Sequence, residues 1–363
     1  MELPLSPRPA HLQFDMKMPE NQRPKMEPVT EFESRLRGLF LGLAIGDALG
    51  LPVETLSPQQ IALEYGSVSS FLPIERNPFF PRSDTRGVVS DDTQLSIAVA
   101  EAILRSGKLD LDSLVSAHIE AFHTSVLGWG KSTKEAVANL ARGAHWSEAG
   151  QSNDPKRGTG NGVAMKVAPI AAYLVATGQT IETIKDCAAQ LALMTHYTSM
   201  AVSSGFAQIA AVTYCLTHKP EDFVAEEFMA QVVEASRMGE QYLPETLGAD
   251  QLTKNLSRVL EVAKEGPEAI SQEFGGGSCY VFHSLPFSYC HFLRAPLRID
   301  SLFAVVNAGG DTDSNGSMVG ALLGALNGGM LFPAELAQQV QGSDKGMHLA
   351  AKFAKISENC SSS

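Results

Sequence analysis

Two short runs of oxygen-bearing side chains stand out in this sequence: Ser90-Asp91-Asp92-Thr93 and Asp311-Thr312-Asp313-Ser314. Each directly precedes an apolar helical run, so each is expected at a helix N-terminus. Ser, Thr and Asp are preferred N-caps, and acidic groups suit the positive end of a helix dipole. Capping needs one oxygen side chain, however, and each run offers four. Adjacent carboxylates repel one another unless a cation neutralises them. The donors are all oxygen, with no His or Cys inside either run. Such a set matches hard cations, Mg²⁺ or Mn²⁺, better than Zn²⁺. Four aspartates could hold two ions, and paired ions can polarise a bound hydroxyl and orient a substrate. Nothing in the sequence says that the two runs meet in space.

Other polar residues carry two readings each. Asp47 lies inside an apolar, glycine-rich helix, where an unpaired charge is expensive. It either caps a neighbouring helix terminus or steadies a metal ligand. The run Gly158-Thr159-Gly160-Asn161-Gly162 reads as the opening of a helix, a simple turn or a phosphate cradle built from N–H groups. His196, at a helix junction, reads alone as structural. Glu54 reads alone as a solvated loop carboxylate. Trp129 and Trp146 fall near loops that would rim a cleft, where they either stack on a base or cover the core.

Helices must position these groups. Apolar periodicity predicts them near 33–49, 92–106, 111–124, 132–142, 162–177, 181–194, 198–217, 222–238, 249–264, 299–307, 315–327 and 345–357. The long loops are expected near 55–90, 143–160 and 273–290. No sustained period-2 pattern appears, so the expected fold is all-α: one multi-helix domain over 31–358, between flexible tails at 1–30 and 359–363. Two helices carry glycine at every fourth residue: Gly38, Gly42, Gly46 and Gly50, then Gly316, Gly320, Gly324 and Gly328. Glycine inside a helix costs about 1 kcal/mol relative to alanine. Close approach of another helix along that stripe is the natural compensation, so the two striped helices are expected to be buried and central.

The bulk numbers narrow the function. Hydrophobic residues make up 44% of the 363, enough for a substantial core. The formal net charge of −12 disfavours nucleic acid and anionic membrane as partners. Five cysteines without a CxxC pair argue against a disulfide framework or structural zinc. With no secretory leader and no clean membrane-spanning run evident, a cytoplasmic monomer is expected.

The chain resembles the ADP-ribosylglycohydrolases from about Arg35 to about Gly329. Five anchors carry the resemblance, in the family's order. They are Gly46-Asp47-Ala48-Leu49-Gly50 with Glu54, then Ser90-Asp91-Asp92-Thr93, then Gly160-Asn161-Gly162 with Met165, then Thr195-His196, and last Gly309-Gly310-Asp311-Thr312-Asp313-Ser314-Asn315. The resemblance implies an all-α domain with a dinuclear Mg²⁺ (or Mn²⁺) cleft. It implies Ser90, Asp91, Asp92, Asp311, Asp313 and Ser314 as metal ligands. The common pattern has Thr where Ser90 and Ser314 stand, and serine keeps the ligating hydroxyl. It implies Glu54, Asp92 and Asp311 as catalytic carboxylates, and Gly160, Asn161, Gly162 and His196 as contacts to ADP-ribose. The implied reaction is hydrolysis of the glycosidic bond between ADP-ribose and a protein side chain or small molecule. The alternatives are a non-catalytic ADP-ribose binder, a crystallin-like structural protein, and a phosphohydrolase cutting the diphosphate. The acceptor is not readable: where some relatives carry an acidic residue, this chain has Gly128-Trp129-Gly130-Lys131.

Overall fold

The two glycine-striped helices, Glu31–Gly50 and Thr312–Asn327, pack against each other along their whole length, antiparallel. The stripes face one another: Gly38 meets Gly324, Gly42 meets Gly320, and Gly46 meets Gly316. Gly50 meets the carbonyl of Thr312. A methyl group on Gly316 would stand 2.5 Å from the Gly46 carbonyl oxygen, and at every other stripe position except Gly328 it would meet a facing carbonyl oxygen closer still. Backbone therefore touches backbone, and van der Waals contact offsets the intrinsic cost of glycine in a helix.

Around this pair the remaining helices form a shell. The described residues are 29–76, 84–154, 156–243 and 250–361 of the computed structural model. From Glu31 onward they belong to one compact unit. The expected N-terminal tail lies almost entirely outside them. Among them there is no strand, only an isolated bridge between Gly160 and Tyr280. The all-α expectation stands. Helix Ser199–Thr217 is sheathed by Ala225–Glu240, Ala168–Thr177 and Ile181–Leu193. Helix Asp91–Ser106 packs on Leu111–Thr124.

Several boundaries differ from expectation. Residues 281–290 were expected to be loop, yet Val281–Arg294 is a helix with Pro286 inside it. Proline has no N–H, so the carbonyl four residues back, Phe282, loses its helical partner. Asn255 Nδ2 donates to that carbonyl at 2.6 Å and makes up the loss. The predicted helix 249–264 is broken into Gln251–Leu256 and Val259–Glu265. The predicted helix at 162–177 begins instead as a tight turn, Ala164–Lys166, before Ala168–Thr177. The last helix runs Ser343–Ser361, so 359–361 are helical where a tail was expected.

Glu31–Val53 and Ser199–Thr217 are each long and apolar enough to cross a membrane, which corrects the expectation that no such run exists. Their most apolar windows are 94% and 83% buried against the rest of the protein. That is the signature of core helices.

Candidate active site

The acidic runs meet. Ser90 Oγ and Ser314 Oγ both donate to the same oxygen, Asp92 Oδ2, each at 3.1 Å. Asp92 and Ser314 are 222 residues apart in the chain. Both runs line one cavity of about 350 Å³, shared with Glu54, Gly160, Asn161, Gly162, Met165 and His196.

The first run is held from outside. Asp47 reaches from the first striped helix and accepts from the N–H of Ser90 at 2.9 Å, and from the N–H and Oγ1 of Thr93 at 3.1 and 2.6 Å. The capping reading of Asp47 holds: it caps helix Asp91–Ser106, whose first turn bears Asp91 and Asp92. Ser90 caps the same helix by accepting from the Asp92 N–H at 3.2 Å. The aspartates that follow, Asp91 and Asp92, line the cavity.

The second run rests on main chain. Asp311 N–H donates to the Gly277 carbonyl at 3.0 Å, and Thr312 Oγ1 donates to the Gly50 carbonyl at 2.8 Å. Asn315 Nδ2 donates to the same Gly277 carbonyl at 2.8 Å. Gly309 and Gly310 enter the run with φ of +76° and +82°, a region that costs other residues about 1–2 kcal/mol. A Cβ on Gly310 would also strike the Gly276 and Gly277 carbonyls.

Glu54 follows the first striped helix and comes to the second run through a strained residue. Thr55 is the one non-glycine among the described residues with positive φ, at +70°. Its N–H donates to the Gly310 carbonyl at 2.8 Å, and Gly310 N–H returns to the Leu56 carbonyl at 3.2 Å. Carboxylate oxygens of Glu54, Asp311 and Asp313 all fall within 4.8 Å of one another.

So many carboxyl groups cannot all ionise in one buried place. Burial first, then the neighbouring carboxylates, push Glu54 up to about 8 and Asp91 up to about 7. Asp92 and Asp313 lie well above the usual range for the same reasons. Asp311 is raised by burial. Asp92 Oδ1 is buried with no hydrogen-bond partner. An orphaned anionic oxygen among hydroxyls and carboxylates is what a hard divalent cation would satisfy.

The remaining expected residues are placed as follows. Asn161 is in the cavity wall, but its backbone N–H is taken by the Cys279 carbonyl at 3.0 Å. Its side chain instead donates to Asp311 Oδ2 at 2.7 Å. The loop is therefore not a helix start, and the Asn161 N–H is not free for a ligand. Gly160 and Gly162 face the ring of His196. Trp129 is buried, donates to Gln94 and packs on Phe122, so it covers the core. Neither tryptophan lines the cavity.

Sequence reasoning missed several wall residues. Cys279 and Tyr280 stood in what was read as a loop. Lys131, Lys156 and Arg157 form a basic rim in a chain that is acidic as a whole. Lys166 is fully buried beneath, and a lone charge in the apolar run Val163-Ala164-Met165-Lys166-Val167 is the signal that could have found it.

The family model for ADP-ribosylglycohydrolase matches residues 28–362. The chain belongs to that family. Among curated relatives, an uncharacterised protein of Archaeoglobus fulgidus is 32% identical over 326 residues, covering 89% of this chain and 97% of its own. The ADP-ribosylhydrolase ARH3 of Mus musculus is 25% identical over 353 residues, covering 90% and 93%. The ADP-ribosyl-[dinitrogen reductase] glycohydrolase of Rhodospirillum rubrum is 32% identical over 141 residues, 38% of this chain and 44% of that one. A solved ADP-ribosylglycohydrolase-related protein complex superposes with a TM-score of 0.64 at 25% identity, covering 90% of this chain and 99% of that one.

Proposed function

We propose that this ADP-ribosylglycohydrolase hydrolyses the glycosidic bond between ADP-ribose and an acceptor, a protein side chain or a small molecule. Its cofactors are two Mg²⁺ or Mn²⁺ ions held by Ser90, Asp91, Asp92, Asp311, Asp313 and Ser314. The observation that carries this reading is the meeting of two distant acidic runs at Asp92, with Glu54 beside them, on one cavity. Bound there, the ions would supply the positive charge that the clustered carboxylates lack and a hold on sugar hydroxyls.

The chain's own residues supply the rest. Breaking a glycosidic bond builds positive charge on the ribose. Once bound cations let the cluster ionise, Asp92 and Asp311, already fixed by hydrogen bonds, would offer negative charge to that transition state without reorganising. Glu54 belongs to neither run, and no hydrogen bond engages its carboxyl among the described residues. With cations beside it, that carboxyl is ionised and takes the proton from the attacking water. Gly160, Asn161, Gly162 and His196 form the wall for the ADP-ribose moiety. The rim of Lys131, Lys156 and Arg157 draws an anionic substrate toward a chain of opposite overall sign.

The test is a panel of defined ADP-ribosyl substrates, incubated with Mg²⁺ and with EDTA, with products weighed by mass spectrometry. Intact ADP-ribose in Mg²⁺ and none in EDTA is the expected result. AMP as product would mean diphosphate cleavage instead. Full turnover in EDTA would overturn the role of the cations. Binding of ADP-ribose without release from any conjugate would leave a non-catalytic binder.

A further inference from the structure

A second polar chain ends in the same cavity, and neither acidic run is part of it. Lys166 closes the tight turn Ala164–Lys166 and is fully enclosed. Its Nζ donates to Thr195 Oγ1 at 3.2 Å. Thr195 Oγ1 lies 2.9 Å from His196 Nδ1 and 3.5 Å from the Ala192 carbonyl. His196 lines the cavity.

The direction of these bonds follows from counting protons. A threonine hydroxyl has one proton to give. Its oxygen accepts from the Lys166 ammonium, which has three N–H donors and no lone pair with which to accept. The hydroxyl proton then goes to the nearer acceptor, His196 Nδ1, and not to the carbonyl at the limit of hydrogen bonding. An imidazole whose Nδ1 accepts carries its proton on Nε2. Nε2 is the nitrogen turned toward the glycine loop: a Cβ on Gly162 would stand 3.1 Å from it. The absence of side chains at Gly160 and Gly162 keeps the space around Nε2 clear. Burial, and then the charge of Lys166, hold the ring down to about 3, so it stays neutral.

We propose that Lys166 is a positioning residue: through the Thr195 hydroxyl it holds the His196 proton on Nε2, so the cavity wall presents an N–H donor to an anionic ligand. The ligand, ADP-ribose, rests on the function proposed above; the hydrogen-bond direction does not. With the opposite tautomer, Nδ1–H would donate to Thr195, and an Nε2 lone pair would face the ligand's phosphate oxygens.

The experiment is long-range proton–nitrogen NMR on the ¹⁵N-labelled full chain, paired with calorimetric titration of ADP-ribose. Wild type and Thr195→Ser should show His196 protonated on Nε2. Thr195→Val, which keeps the volume and removes the hydroxyl, should bring in the Nδ1–H form and raise the ADP-ribose Kd by about 5- to 10-fold. Lys166→Met should do the same, and Thr195→Val decides the matter if that variant fails to fold. A wild-type ring protonated on Nδ1 overturns the proposal, as does a Thr195→Val ring that stays purely on Nε2. If the tautomers behave as expected but ADP-ribose does not bind wild type, the relay stands and the ligand assignment falls.

Discussion

The acidic run at 90–93 hangs from a side chain, whereas the run at 311–315 is seated on main chain. Asp47, one buried carboxylate, makes the outside contacts that orient the first. The second is gripped by the carbonyls of Gly50 and Gly277, with Asn161 as its side-chain clamp. The difference shows where mutation can reach each half of the site. A single substitution removes the first support, while the second keeps its main-chain bond from the Asp311 N–H to the Gly277 carbonyl whichever one side chain is removed.

The largest effect expected is on chemistry, and it should be equal on both sides. Asp92→Asn, Asp311→Asn and Asp313→Asn should each lower kcat by about 1,000-fold while circular dichroism shows the helices unchanged. If only one run matters to turnover, the site is not shared between them. The supports should then part company. Asp47→Ala should weaken cation binding by about 10- to 100-fold and destabilise the fold by about 2–4 kcal/mol, because it uncaps a buried helix start. Asn161→Ala should cost only about 1 kcal/mol, read by denaturant unfolding, because the main-chain contacts persist. Equal losses would erase the contrast.

A pH series sharpens it further. Burial lifts Asp47 to about 6, Asp91 to about 7 and Glu54 to about 8, all above their unfolded values. Groups raised in this sense stabilise the fold below their unfolded pKa and lose that contribution as pH rises through the folded one. In EDTA the melting temperature should therefore fall progressively between about pH 4 and pH 8, and added Mg²⁺ should restore it. A flat profile in EDTA would show that the carboxylates are not forced together. The smallest effect belongs to Thr55. Thr55→Gly relieves a left-handed backbone but adds freedom to the unfolded chain, so stability should change by no more than about 1 kcal/mol. Activity should fall more than stability if the strain helps to hold Glu54.

Much of this was legible in the residues. The glycine stripes announced a close helix pair because their cost demands compensation, and the oxygen-only runs marked residues that line the cavity. Asp47 was flagged by being a charge in an apolar helix. What escaped depends on contacts that no local pattern records. Val281–Arg294 hides behind Pro286, whose orphaned carbonyl is satisfied from a separate helix by Asn255. Cys279 and Tyr280 reach the cavity only because that helix folds back beside the Gly160 loop. Asn161 was expected to act through its backbone and acts through its amide, since Cys279 has claimed the N–H.

The striped pair has a bearing on the geometry of the candidate site as well as on stability. Glu54 leaves one of these helices and Asp311 begins the other, so the gap between them is gauged by the thickness of polypeptide main chain. Rotamers cannot widen that gauge, and no larger residue can be tried in the seam without wedging it. The spacing at the working end should hold steady on warming until the two rods separate altogether, which makes loss of activity and loss of fold a single event.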